Sequence, residues 1–459
     1  MARGVKIAFI GAGSIVFARK LLGDVFLYPD LGDATVCLMD VDERRLGLAR
    51  RIAEELKAEH ASRAAIESTT DLESAVADSS YVINVVQIGG SQATYADFDI
   101  PEKYGLLQTI ADTHGISGMM RFLRTVGHLD RLVGLMSRRC PRALLLNFTN
   151  PMSMCQWYIA NTSNVKTVGL CHSVPETIKQ VSHYVGVDPA DVDFTVAGIN
   201  HMAWILKFQR GQKDLYPRLR ASVDDPSAWS MDPVRFEILR NFSFFVTESS
   251  EHMAEYVPYF LKDRRLIEKL GIPVREHVRR TELNERALEA EAAYYLLGDA
   301  TMKGAAVRMK AEYYSKEGKV GFQSKGPAQK PTRSDEYAIQ IIHAIETGQA
   351  TSVYGIVPNR GLVENLAGDC VVEVPIGVDR RGLHPLRVGR LPDHLAALNS
   401  WHINLQRMAV GGAVSRSRRD IHYAALLDPL AGSILSMQQI HDLTEEMLAA
   451  HRQYLPAGM

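Results

Sequence analysis

The chain has 459 residues, 46% of them hydrophobic, and its 52 basic side chains stand against 53 acidic ones for a formal net charge of −1. That balance leaves no cationic surplus for a nucleic-acid backbone, and no apolar run reaches the roughly 18 residues of a membrane-spanning helix. The opening residues MARGVKIAFIGAG carry no apolar core followed by a small-residue cleavage site, so a cytoplasmic protein of two or three domains is expected.

The first apolar run, VKIAFIG (5–11), ends in glycine and reads as a strand buried on both faces. A helical stretch from Ser14 to about Tyr28 follows, then further apolar runs at 34–40, 81–87 and 143–151. Strand, crossover and strand repeated this way predict an α/β fold with a Rossmann-like parallel sheet. The expected division is a Rossmann-like domain over 1–170 and a domain of mixed α+β character over 171–459. In the second part, FTVAGINHMAWILKF (194–208) suits a strand, and 236–245 and 282–298 suit helices. The Gly-, Lys- and Pro-rich segment 315–334 suits a loop. A helix resumes over 335–348, and the amphipathic stretch 433–455 suits packing on the body or on a second subunit.

Three places carry chemistry. GAGS places Gly11, Gly13 and Ser14 between a strand and a helix, where backbone N–H groups can approach a pyrophosphate. Position 16 is Val, so the third glycine of the usual fingerprint is missing, but Asp40 ends the next strand, where a carboxylate can accept from a ribose 2′-OH. That register favours NAD over a plain tight turn. NFTNP (147–151) lies beyond another strand, where an Asn-Pro pair either ends the strand or meets a ligand. The third place pairs Cys171 with His201, each next to a strand. A thiolate and an imidazole suit a divalent transition ion and leave positions open for substrate, although a core thiol and a core histidine are the plainer explanation of spacing alone. The five cysteines form no CxxC pair, which argues against a disulfide framework or a structural zinc site.

These segments resemble glycoside hydrolase family 4: GAGS, NFTNPM, GLCHSV, AGINHMAW, FVTESSEHMAEY, YGIVPNRGLVENL and LPDHLAALN follow one another along nearly the whole chain. The Cys-His-Ser-Val form resembles the bacterial α-galactosidase (melibiase) subgroup. The resemblance implies a fold of the lactate/malate dehydrogenase kind and two cofactors, NAD and Mn2+. It also implies a reaction in which hydride leaves the sugar C3, the C2 proton is removed, the aglycone is eliminated and water adds. It assigns Cys171 and His201 to the metal, Asn150 to the substrate and Tyr256 to C2 deprotonation, with Tyr259 as the competing tyrosine. His172 replaces the aspartate that the phosphosugar branch uses as proton donor, so the donor is His172 or else Asp112. Arg275, Arg279 and Arg280 lie near enough in sequence to Tyr256 to supply a basic pocket. The expected partner is a small α-linked sugar, and the expected assembly is a homodimer or homotetramer. An α-glucosidase or α-hexuronidase of the same family, a lactate- or malate-type dehydrogenase, and a non-catalytic NAD sensor are the alternatives.

Overall fold

The computed structural model describes residues 4–316 and 333–459, so nearly all of the loop expected at 315–334 lies outside the described residues. The strands are β1 (Lys6–Ile10), β2 (Thr35–Met39), β3 (Ala65–Thr69), β4 (Tyr81–Asn84), β5 (Leu144–Asn147), β6 (Lys166–Gly169), β7 (Asp193–Ile199), β8 (Met202–Arg210), β9 (Lys213–Asp214), β10 (Thr351–Pro358), β11 (Val371–Asp379) and β12 (Gly382–Pro385). They form one sheet in the order β3-β2-β1-β4-β5-β6-β10-β11-β7-β8-β9, with β12 on β11.

The first six strands are parallel, and their order reverses between β1 and β4. This is the doubly wound arrangement expected from the alternating runs, and it opens a crevice beyond the carboxyl ends of β1 and β4. Ile7, Ala8, Phe9 and Ile10 are all fully buried, because helices cover both faces. The 25-residue helix Gly115–Arg139 is the largest cover and buries Ile116, Met119, Phe122, Leu123 and Val126. Truncating a side chain such as Phe122 to alanine in such a core costs about 3–5 kcal/mol.

From β6 onward every pairing is antiparallel, beginning with Ile356 of β10 opposite Gly169 of β6. The sheet therefore runs without a break across residue 170. The run 194–208, expected as one strand, is two: β7 and β8 are joined at Asn200 and His201, and His201 takes a left-handed φ of 65°. The amphipathic stretch at 433–455 also divides, into helices Pro429–Ile434 and Met437–Ala450. Ser436 and Gln439 form a capping box at the start of the second, satisfying its first N–H groups. Among the described residues no helix is long and apolar enough to cross a membrane.

Candidate active site

The turn after β1 is built for close approach. Gly11 sits at φ 87°, and the N–H groups of Gly11 and Ala12 both donate to the Met39 carbonyl at 2.9 Å, locking the turn to β2. The Gly13 N–H donates to Asp40 Oδ2 at 2.9 Å, and a Cβ at Gly13 would lie 2.6 Å from that oxygen and 2.7 Å from Arg45 Cβ. Only glycine fits there. Ser14 precedes the helix Ile15–Leu27, whose first N–H groups it leaves uncapped by its side chain. Gly11, Gly13, Ser14 and Asp40 thus form one cluster at the sheet's switch point, where a glycine turn leads into a helix N-terminus that could face a dinucleotide's phosphates.

Beyond the ends of β5 and β6 a second cluster is buried. Cys171 Sγ lies 3.2 Å from His201 Nε2, and Glu248 Oε2 lies 3.6 Å from the same nitrogen. These three ligand atoms fall within 4.8 Å of one another, and Glu248 Oε2 is buried with no hydrogen-bond partner. Burial and the carboxylates of Glu248 and Glu373 push the Cys171 thiol well above its ordinary range. Burial alone would raise Glu248 too, but His201, His252 and His172 hold it down at about 2. A soft sulfur, an imidazole nitrogen and an orphaned carboxylate oxygen facing one another are a donor set that a divalent transition ion fits.

The outer side of His201 faces Tyr256. Its Nδ1 is 3.1 Å from Tyr256 Oη and 3.2 Å from Thr113 Oγ1. Tyr256 is fully buried, with His114 packed edge-on at 4.3 Å and the His402 Nε2 bonded to its carbonyl at 2.7 Å. Burial, with Glu255, Asp112 and Glu248 nearby, pushes the Tyr256 phenol well above 10. Asn150 Nδ2 donates to Asp112 Oδ2 at 3.1 Å, which brings the NP motif onto the same cluster. Against a burial that would raise it, Arg121, His277 and His252 hold the Asp112 carboxyl well below the usual range, so it is ionised at neutral pH.

Sequence reading missed Glu248, His252 and Glu255. All three lie in TESSEHMAEY, but no spacing rule singled them out. Glu255 Oε2 accepts from the N–H groups of Thr109, Ile110 and Ala111 at 2.9, 3.1 and 3.1 Å, fixing the loop that carries Asp112. Ala111, His201 and Glu248 are non-glycine residues at φ 55°, 65° and 77°, and such strain of about 1–3 kcal/mol each gathers where function holds it. His172 follows Cys171 at the start of helix Ser173–Tyr184. Tyr259 is 39% exposed, unlike the enclosed Tyr256. Arg275 pairs with Asp99 and Glu102 and Arg279 with Glu276, while Arg280 pairs with Glu276 and stands 4.0 Å from Glu251.

A doubly wound sheet with a dinucleotide-type turn and buried metal-type donors at its carboxyl edge is the architecture of an α/β enzyme. The chain belongs to family 4 of the glycosyl hydrolases: the family's model matches residues 6–187 and the model of its C-terminal domain matches 196–431. It is 38% identical to an α-galactosidase of Bacillus subtilis over 98% of this chain and 99% of the relative. The fold is also that of a 6-phospho-beta glucosidase from Thermotoga maritima solved with manganese, NAD+ and glucose-6-phosphate, at 21% identity. The TM-score is 0.76, with 98% of this chain and 99% of that one covered. A malate dehydrogenase from Cryptosporidium parvum shares the fold more distantly, at 15% identity and a TM-score of 0.50 over 90% of this chain and 99% of that one.

Proposed function

We propose that the protein is an α-galactosidase that uses NAD and Mn2+. The observation that carries this reading is the 3.2 Å approach of Cys171 to His201 with Tyr256 on the opposite nitrogen of the same ring. The similarity to the Bacillus subtilis α-galactosidase supports an α-galactoside as the substrate. When bound, NAD would accept and return a sugar hydride, and the divalent ion would stabilise the negative charge that this oxidation allows on the neighbouring oxygens.

The chain's own residues supply the rest. Gly11, Gly13 and Ser14 open the turn for the pyrophosphate, and Asp40 accepts from a ribose hydroxyl. Cys171, His201 and Glu248 would hold the ion, whose positive charge would offset the burial that otherwise keeps the thiol protonated. Asn150, oriented by the ionised Asp112, donates to a sugar hydroxyl. Tyr256 takes the C2 proton, which requires a cation close by to bring its phenol down toward neutral pH. His172 gives the proton to the leaving oxygen, since the charges around Asp112 leave that carboxyl without one to give. An uncharged sugar needs no cationic steering, in keeping with a net charge of −1.

In the same reading, residues 1–170 serve the cofactor and 171–459 serve the sugar. The chain works in the reducing cytoplasm, which keeps Cys171 a thiol, as a homodimer or homotetramer. Hydrolysis of p-nitrophenyl α-galactoside is the test, with NAD+ and Mn2+ each added or withheld. Full turnover by protein stripped of both defeats the reading, and a stoichiometric build-up of NADH replaces it with a dehydrogenase.

A further inference from the structure

A second group of metal-type side chains lies on the C-terminal helices. His441 and Glu445 stand one turn apart on the helix Met437–Ala450, and His422 faces them from the neighbouring helix Arg418–Leu426. One ligand atom from each lies within 4.8 Å of the others. His422 Nε2 is 2.6 Å from Glu445 Oε1, and the His422 and His441 rings stack at 4.4 Å with only 10° between their planes. The other carboxylate oxygen, Glu445 Oε2, accepts from Arg418 at 2.6 Å. His422 Nδ1 is buried with no hydrogen-bond partner, so the ring is held by Glu445 on one nitrogen and by its stack on His441.

We propose that His422, His441 and Glu445 form a second divalent-metal site, selective for an imidazole-preferring ion of the zinc class. Two imidazoles and one carboxylate are a three-ligand set that leaves a fourth position for water. Nitrogen donors favour Zn2+ over Mn2+, and the Cys171 thiol favours zinc as well, so the two sites are told apart by variants and not by the choice of ion. The ion takes the place of the direct His422–Glu445 contact. The His441 side chain, 55% exposed, turns from its stack to present its nitrogen. Arg418 stays on the free carboxylate oxygen and orients the ligand, as outer partners of metal-bound carboxylates do. The bound ion ties helix 418–426 to helix 437–450, and these helices pack against one another and on the long helix 115–139.

The test uses the full chain loaded with NAD+ and Mn2+, dialysed against Zn2+ and assayed for zinc per chain and for Tm. Wild type retains about one equivalent more zinc than His441→Ala or Glu445→Gln, and zinc raises its Tm but not theirs. The same comparison in a Cys171→Ser background excludes zinc held at the buried thiol, and there the one-equivalent difference persists. Equal zinc in wild type and His441→Ala, in both backgrounds, overturns the proposal.

Discussion

The Tyr256 hydroxyl and His201 Nδ1 lie 3.1 Å apart, on the ring nitrogen that does not face Cys171. One imidazole therefore couples the residue read as base to the residues read as metal ligands. Replacing Tyr256 with Phe removes the hydroxyl alone. We expect kcat to fall by about 10²–10⁴-fold, the range for losing a general base. Proton-to-deuterium exchange at the sugar C2, followed by NMR, stops as well, while NAD+ affinity holds. Exchange continuing at the wild-type rate assigns the base elsewhere.

Cys171→Ser exchanges a soft ligand for a hard, neutral hydroxyl. Loss of an outer partner of a metal ligand costs about 10–100-fold in affinity, and loss of the ligand itself should exceed that. Mn2+ titration followed by electron paramagnetic resonance of the free ion measures it. A Kd matching that of wild type removes Cys171 from the ligand set.

Gly13→Ala places a methyl carbon against Asp40 and Arg45 Cβ, where the available gaps are 2.6 and 2.7 Å. The turn must open, and NAD+ binding should weaken by about tenfold or more, equivalent to about 1.4 kcal/mol. Fluorescence titration with NAD+ reads the change, and Mn2+ affinity serves as the control. Unchanged NAD+ affinity counts against the turn as the cofactor's seat.

Glu255→Gln tests the support behind Asp112. The amide carries N–H donors where the carboxylate accepts from the backbone of residues 109–111, so at least one of those bonds is lost. Burial raises the Glu255 carboxyl to about 7, so it is a charged acceptor above that pH. Hydrogen bonds to charged groups contribute about 1.5–3 kcal/mol each, and a loss of about 2 kcal/mol is expected in urea unfolding at alkaline pH. If loop 109–113 holds Asp112 and Asn150 for the sugar, KM rises in the folded variant too. Wild-type stability and KM together would dismiss the role.

His402 gives an acid dependence with a definite sign. Burial lowers its imidazole to about 4, against 6.5 for an exposed one. Between those values the unfolded chain takes up a proton that the folded chain refuses, so this group removes stability as pH falls from 6.5 toward 4. His402→Gln keeps a donor for the Tyr256 carbonyl and cannot titrate. The stability gap between wild type and variant should shrink by about 2 kcal/mol between pH 7 and pH 4.5, measured by urea unfolding. A gap independent of pH means that His402 titrates normally.

Most of the parallel half of the sheet was legible because β1, β2, β4 and β5 are short apolar runs, as at Ile10–Gly11 and Met39–Asp40, whereas β3 (AIEST), half-exposed at the sheet edge, carries no such run. The antiparallel half was not. β10 and β11 come from far along the chain, and their partners β6 and β7 are set by packing that no local pattern records. The break at Asn200–His201 was hidden for a related reason: His201 in a left-handed conformation has no propensity signal, whereas a glycine there would have had one. Cys171, His201, Tyr256 and Asn150 were named from motif resemblance, and the fold sets Cys171 and Tyr256 on the two nitrogens of His201, with Asn150 on neighbouring Asp112. Glu248 was missed because a carboxylate among 53 acidic residues is unremarkable until a thiol and an imidazole are folded against it.

The insertion of β10 between β6 and β11 has a consequence for synthesis on the ribosome. When β6 emerges, its outer edge has no neighbour, because the strand that covers it starts at Thr351, roughly 180 residues later. At about 5–20 residues per second, that edge waits on the order of 10–40 s with its backbone groups unpaired. An open parallel sheet edge is a template for the wrong strand. The nascent parallel half thus stands open to mispairing over that interval, and slow codons between β6 and β10 would lengthen it.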